Sequence, residues 1–433
     1  MIQRGHSRLL RFRTLAAVAA LGALVLAGCG GGGDGDSGGD GGAAKSFKFT
    51  FPTSTATESP WQTLATKYQE ETGTQVQAQA LPNDSYPLSI RTQLQGGNAP
   101  DLMVVAPGAG QQHAVLPLAE AGLLEPLNET SASIVPESTK PLVTLDGKVY
   151  AQPTDLIPVG MVYNPDAATK AGVTTFPSDS SAMIASCKQL AGQGKSFLAV
   201  AGSAPPNMGL MALSISATRV YAQTPDWNQQ RASGAVTFAG SKGWQDTLQT
   251  IVDMNNSGCF QRGAAGGGFD AITGGITQGK SLGAFVPGGA ATELMASTPG
   301  LKLEIRDFPP AVGGEQYLLA SPNYALAISA KSDTGQKQAA QGFLDWLAKP
   351  ENAAQFTKIS GGVPITGAEG ATLEPQYEPV KGLLEAEDYA PLPNLEWPNP
   401  GIYDALSSGV QGLLAGKGDV QSVLEATDKA WDR

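Results

Sequence analysis

The chain has 433 residues, with 28 basic and 39 acidic side chains, a net charge of −11 and only 15% charged residues. An acidic balance of this size disfavours nucleic acid and anionic surfaces as partners. With only His6 and His113 available, a multi-histidine metal site is excluded and a Ser-His-Asp triad would have to rest on His113; no cofactor and no metal is expected.

At the start of the chain Arg4, Arg8, Arg11 and Arg13 precede an apolar run over residues 15–26 and then Leu26-Ala27-Gly28-Cys29. This is the layout of a secretory signal, and the run is shorter than the roughly 20 residues a membrane span needs. A cysteine directly after small residues matches the bacterial lipobox, so residues 1–28 are expected to be removed and Cys29 acylated, which holds the protein at the extracytoplasmic face of the cell membrane. Residues 30–42 read GGGGDGDSGGDGG and offer nothing to bury. As a Gly-rich coil they would reach about 20 Å, which makes residues 29–45 a tether. Loss of the four arginines takes the net charge to near −15. The residues that remain are too many for one core and predict two lobes.

Phe47, Phe49 and Phe51 alternate with Lys48 and Thr50 as a first strand. Ser59-Pro60-Trp61-Gln62 then reads as a helix start, with Trp61, Leu64, Ala65 and Tyr68 on one face and Gly73 as its end. A second strand alternates over residues 75–80, Ile90 and Leu94 mark a helix, and Leu102-Met103-Val104-Val105 is a short buried run. Strand, helix, strand, helix, strand in this order predicts an α/β lobe with a mainly parallel sheet. Met161-Val162-Tyr163 and residues 197–200, 282–286 and 324–328 repeat the strand pattern. Trp244, Leu248, Ile251 and Val252, and later Phe343, Leu344, Trp346 and Leu347, form helical stripes. Of the three cysteines one is Cys29, which leaves Cys187 and Cys259 either bridged, with a gain of about 4 kcal/mol on the chain-entropy argument, or as separate buried thiols.

Residues 274–281 satisfy the phosphate-cradling pattern G-x-x-x-x-G-K-[ST]. That pattern needs a buried strand before it and a helix after it. Here Gly-rich sequence precedes and a strand follows, so Gly279-Lys280 reads as a turn.

Several ordered motifs carry a family resemblance. They are Tyr68-Gln69-Glu70-Glu71-Thr72-Gly73, Gly96-Gly97-Asn98-Ala99-Pro100-Asp101, Ala121-Gly122-Leu123-Leu124-Glu125-Pro126-Leu127, Asp146-Gly147-Lys148-Val149-Tyr150, Val162-Tyr163-Asn164-Pro165-Asp166, Gln278-Gly279-Lys280, Asn323-Tyr324-Ala325 and Gly361-Gly362-Val363-Pro364. In this order and spacing the sequence resembles the extracellular solute-binding proteins of ABC uptake systems, in the carbohydrate-binding class that includes maltose-binding protein. The resemblance implies a periplasmic-binding-protein-like α/β fold of two lobes, each a mainly parallel sheet flanked by helices, joined by a hinge. Lobe 1 would comprise residues 46–157 plus 326–370 and lobe 2 residues 158–325 plus 371–433. It implies a monomeric, non-enzymatic binding component that takes a mono- or oligosaccharide and presents it to membrane permease subunits. A sensor or adhesin of the same fold and a glycoside-hydrolysing enzyme are the alternatives.

A sugar presents apolar ring faces and a circle of hydroxyls, so its site combines aromatic surface with carboxylates and amides. In α/β lobes these belong on loops at the carboxyl ends of strands. Glu58, Asp84 and Asp155 are expected to accept hydroxyls and Asn207 and Asn323 to serve as amide partners. Tyr86, Tyr324 and Trp397 are expected to stack, and Gly288, in the loop at 287–290 after the strand at 282–286, to contact the ligand. Residues 106–110 lack the aromatic or charged side chains several sugar binders carry there, and Gln111 and His113 are expected to substitute.

Overall fold

Phe47, Phe49 and Phe51 do alternate along β1 (Ser46–Pro52). All three rings are buried, and Phe343 of the helix Thr334–Leu347 lies 5.9 Å from Phe47 and 5.6 Å from Phe49 between ring centroids. The computed structural model describes residues 46–53, 59–82, 85–365 and 373–433, so Cys29, the tether, Glu58 and Asp84 lie outside the described residues. The helix Pro60–Thr72 starts as read: Ser59 Oγ accepts from the Gln62 N–H and Pro60 fills the first helical position. Gly73, at φ 74°, ends it, and its N–H donates to the Gln69 carbonyl.

The strands that follow are β2 (Gln75–Leu81), β3 (Leu102–Val105), the hairpin β4 (Thr144–Leu145) and β5 (Lys148–Val149), β6 (Gln152–Pro153), β7 (Asp155–Tyr163) and β8 (Ser196–Ala199). After them come β9 (Ser281–Pro287), β10 (Glu304–Arg306), β11 (Leu318–Ser321), β12 (Ala325–Ile328), β13 (Val363–Pro364) and β14 (Tyr389–Ala390). They form two main sheets, β2-β1-β3-β12-β6 and β14-β11-β7-β9-β8, and β10 and β13 also pair with β7.

Both sheets are mixed, where mainly parallel ones were expected. β1 pairs in parallel with β2 and β3, but β12 runs antiparallel to β3 and β6. In the second sheet β8–β9 and β11–β14 are parallel, while β7 is antiparallel to β9 and β11. The cause is the chain path. A parallel neighbour needs a long crossover within its own sheet, whereas β7 and β12 arrive from the other sheet through connections of a few residues.

Each sheet has its own core. The first packs β1, β3 and β12 against the helices Pro60–Thr72, Tyr86–Gly96 and Thr334–Leu347. The second is covered on one face by Ser180–Ala191, Pro205–Ser216, Lys242–Asn256 and Pro400–Leu414. Its other face is covered by Phe269–Thr277 and Gly289–Ser297. Cover on both faces explains why β7, β8 and β9 read as near-continuous apolar runs instead of alternating ones. Cys187 and Cys259 are bridged and buried, which ties Ser180–Ala191 to the segment after Lys242–Asn256. In the phosphate-loop look-alike a helix precedes, Gly279 turns at φ 62° and β9 follows, the reverse of the order nucleotide binding needs. Among the described residues no helix is long and apolar enough to cross a membrane.

Candidate functional site

The chain passes between the two sheets at Thr154, at residues 322–324 and at Gly361-Gly362. These crossings meet. The Thr154 N–H reaches the Tyr324 carbonyl at 3.4 Å, the Thr154 hydroxyl reaches the same carbonyl at 3.3 Å, and the Ser360 hydroxyl donates to Asp155 Oδ2 at 3.0 Å. A cavity of about 180 Å³ lies beside them. From the first sheet's side come Pro52 and Thr53 at the end of β1, and Pro60 and Trp61 at the start of their helix. From the second come Gly289, Thr292 and Glu293. The crossings add Asp155, Asn323, Tyr324 and Ser360, with Phe356 and Ile359 from the helix Pro350–Ser360.

Asp155 is the buried charge of this site, and burial pushes its carboxyl up to about 6, against hydrogen bonds from Ser360, the Asn323 N–H and Thr154 that pull it down. The crowding around it favours glycine at the adjacent crossing, since a Cβ on Gly362 would lie 2.8 Å from Ile157 Cδ1 and 2.9 Å from Asp155 Oδ2. Burial, and then the Asp155 charge, raises the Tyr324 phenol. The Tyr324 ring meets Trp61 edge to face, with centroids 6.2 Å apart, and Trp61 packs on Phe356 at 4.7 Å. Carboxyl, amide, phenol and hydroxyl groups beside the half-buried Tyr324 ring, which the buried Trp61 backs, can hydrogen-bond a polyhydroxylated molecule and pack on its ring.

The structure therefore brings Asp155, Asn323 and Tyr324 together, with Gly288 next to the lining residue Gly289. It does not bring the other described candidates to this cavity. Trp397 is fully buried among Phe238, Trp244 and Trp431, and its Nε1 donates to Asn228 Oδ1 at 3.2 Å, so it has no free face to stack. Tyr86 is also core. Its hydroxyl accepts from the Val104 N–H at 3.0 Å, and its proton lies between the carbonyls of Thr50 and Val104, which ties β1 to β3. Asn207 has both ends committed, accepting from the Ala201 N–H at 2.9 Å and donating to the Phe285 carbonyl at 2.8 Å. Gln111 is exposed and His113 buried, on a loop held elsewhere: the Ala109 N–H donates to the Leu395 carbonyl at 2.8 Å. Gly108, in the left-handed region at φ 79°, allows that approach, because a Cβ there would fall 2.0 Å from the same carbonyl oxygen. Burial lowers the His113 imidazole to about 4.

Thr53 and Trp61, at the two ends of the loop after β1, also line the cavity, as do Thr292, Glu293 and Ser360. Thr292 and Glu293 follow the flagged loop at 287–290 by one helical turn, and Ser360 precedes the Gly361-Gly362-Val363-Pro364 motif, so proximity to those motifs was the available signal.

Known structures share this fold. The structure is similar to that of a protein studied for xylan utilization by the thermophilic bacterium Caldanaerobius polysaccharolyticus (20% identity, 89% of this chain and 99% of that one, TM-score 0.72). It is similar to a chitin oligosaccharide binding protein (17%, 90% and 98%, 0.73) and to a family 1 extracellular solute-binding protein from Bifidobacterium longum subsp. infantis (16%, 90% and 100%, 0.72). Among curated proteins none matches the sequence. The model of the bacterial extracellular solute-binding proteins matches residues 52–354, well over half the chain, and the chain belongs to that family.

Proposed function

We propose that this protein is the extracytoplasmic substrate-binding component of an ABC sugar importer, which captures a saccharide between its lobes and delivers it to the membrane permease. The observation that carries the reading is the cavity at the three crossings, where Asp155, Asn323 and Tyr324 meet Trp61 and the hydroxyls of Thr53, Thr292 and Ser360. Relatives of the same fold described with xylan use and chitin oligosaccharide binding support the substrate class. The mechanism is a population shift: a ligand touching groups from both lobes binds the closed arrangement better than the open one, and that difference drives closure. Thr154 and residues 322–324 would flex as the hinge, beside the boundaries between a first lobe of 46–157 plus 326–370 and a second of 158–325 plus 371–433. An acyl chain on Cys29 and the Gly-rich tether would keep the monomer beside its permease at a raised effective concentration.

Calorimetry of the purified protein against a sugar panel tests this, with mass spectrometry of any ligand released on denaturation. One-site saturable binding with the sugar recovered unchanged is expected. Recovery of a cleaved sugar, or binding only of non-carbohydrate solutes, refutes it.

A further inference from the structure

Two grooves adjoin at the start of β8 and β9. One, of about 700 Å³, is lined by Lys195, Arg262 and Lys280, with Asp270 as its acid. The other, of about 310 Å³, shares Lys195 and adds Lys170 and Lys302, with Asp166 as its acid. Five cations against two acids reverses the balance of the chain, which has 28 basic and 39 acidic side chains. Lys195 is half-buried and the other four are exposed, and none of the five forms an ion pair among the described residues. The same grooves take in residues 274, 275 and 277–281 of the phosphate-loop look-alike, which the sugar reading leaves unused.

The fold holds these cations together. Lys195 and Lys280 each precede a strand by one residue, and those strands pair in parallel with Ser196 opposite Ser281. The Ser196 N–H donates to the Lys280 carbonyl at 3.0 Å, and the two serine hydroxyls lie 2.7 Å apart in the interior. Neighbouring strands run about 4.8 Å apart, so the two lysines leave the sheet side by side, and like charges so placed repel. A repulsion that no acid of the chain offsets calls for an anion from outside it. The Cys187–Cys259 bridge keeps the walls in place, since it joins the helix ending at Ala191 to the segment that carries Phe260 and Arg262.

This is not the hinge cavity. β9 starts at the grooves with Ser281 and ends at Pro287, two residues before the cavity residue Gly289, which sets the two places about 20 Å apart along the strand. We propose that the grooves form an anion site for phosphate groups, independent of the sugar cavity. Ammonium groups and a guanidinium around one space suit an oxyanion with several acceptor atoms, two of which Arg262 can take at once. The volume of the larger groove lies within the roughly 300–1,000 Å³ of small-molecule sites. The acidic total of the chain does not oppose this, because salt screens charges beyond about 8–10 Å and the local excess decides within that distance. Two sources share the chemistry, the head group of an anionic phospholipid and a free phosphate ester.

The test uses residues 29–433 with Cys29→Ser, which carry no acyl group. Calorimetry with glycerol phosphate reads the free ester. Co-sedimentation with vesicles of equimolar phosphatidylglycerol and phosphatidylcholine, against phosphatidylcholine alone, reads the lipid. Lys195→Gln, Arg262→Gln and Lys280→Gln together should weaken binding at least about tenfold at unchanged urea midpoint and sugar affinity. Lys195→Arg with Lys280→Arg, which keeps the charge, should leave it intact, as should Lys148→Gln with Lys417→Gln, which removes two exposed cations elsewhere. Binding of the ester without vesicle preference assigns the site to a free phosphate compound, and vesicle preference alone assigns it to a head group. Binding of neither probe, binding that survives the triple substitution, or an equal loss in the Lys148 and Lys417 pair overturns the proposal.

Discussion

Replacing Asp155 by Asn should change how stability depends on pH, by an amount the structure allows to be worked out. The carboxyl sits near 6 in the folded protein because burial disfavours its charge, against about 3.9 in an unfolded chain. Two units at 1.36 kcal/mol each make about 3 kcal/mol. Between pH 4 and 6 the folded chain holds a proton that the unfolded chain has released. The stability contributed by that proton is therefore fully present below pH 4, falls as the pH rises through 6 and is gone above it. Asp155→Asn cannot lose it. In urea titrations at half-unit steps from pH 4 to 8, the variant should gain on the wild type by about 3 kcal/mol between pH 4 and 7. Asp307, which burial also raises to about 6, and His113 are present in both proteins and drop out of the difference. A difference that stays flat across this window would show that Asp155 ionises as an ordinary surface acid, and the account of a crowded, buried crossing would fail with it.

Three other perturbations separate structural from binding roles. His113 should act with the opposite sign, since burial lowers it to about 4, so between about pH 6.5 and 4 the unfolded chain takes up a proton that the folded chain does not. His113→Phe should therefore lose about 3 kcal/mol less than wild type between pH 7 and pH 4, as read from urea midpoints. Replacing both Cys187 and Cys259 with Ser should cost about 4 kcal/mol, and a reducing agent should lower the urea midpoint of the wild type while leaving the variant unmoved. Trp397→Ala should cost about 3–5 kcal/mol as a large truncation in a packed core, with sugar affinity unchanged in whatever folds. A selective loss of affinity without loss of stability would return Trp397 to the cleft.

How much could be read in advance follows from which interactions are local. The alternation of Phe47, Phe49 and Phe51, the Ser59-Pro60 start and the Gly73 stop depend on neighbours a few residues away, and each is found as read. Trp397 is a core residue for the converse reason. Pro393, Pro398 and Pro400 do break regular structure around it, but Phe238 and Trp244, more than 150 positions earlier, bury it, and no local pattern encodes that. Tyr86 likewise opens the helix that Ile90 and Leu94 mark, while its hydroxyl serves two strands of the core. The cavity residues divide along the same line. Asp155 and Tyr324 were legible because a strand begins or ends beside each of them. Thr292 and Ser360 sit on helices whose ends become neighbours only when the chain crosses between sheets. Gly362 joins the two cases. Its motif, Gly361-Gly362-Val363-Pro364, is visible in the sequence, yet the need for it comes from Asp155 and Ile157, about two hundred residues away, whose side chains together occupy the space that a side chain at 362 would require.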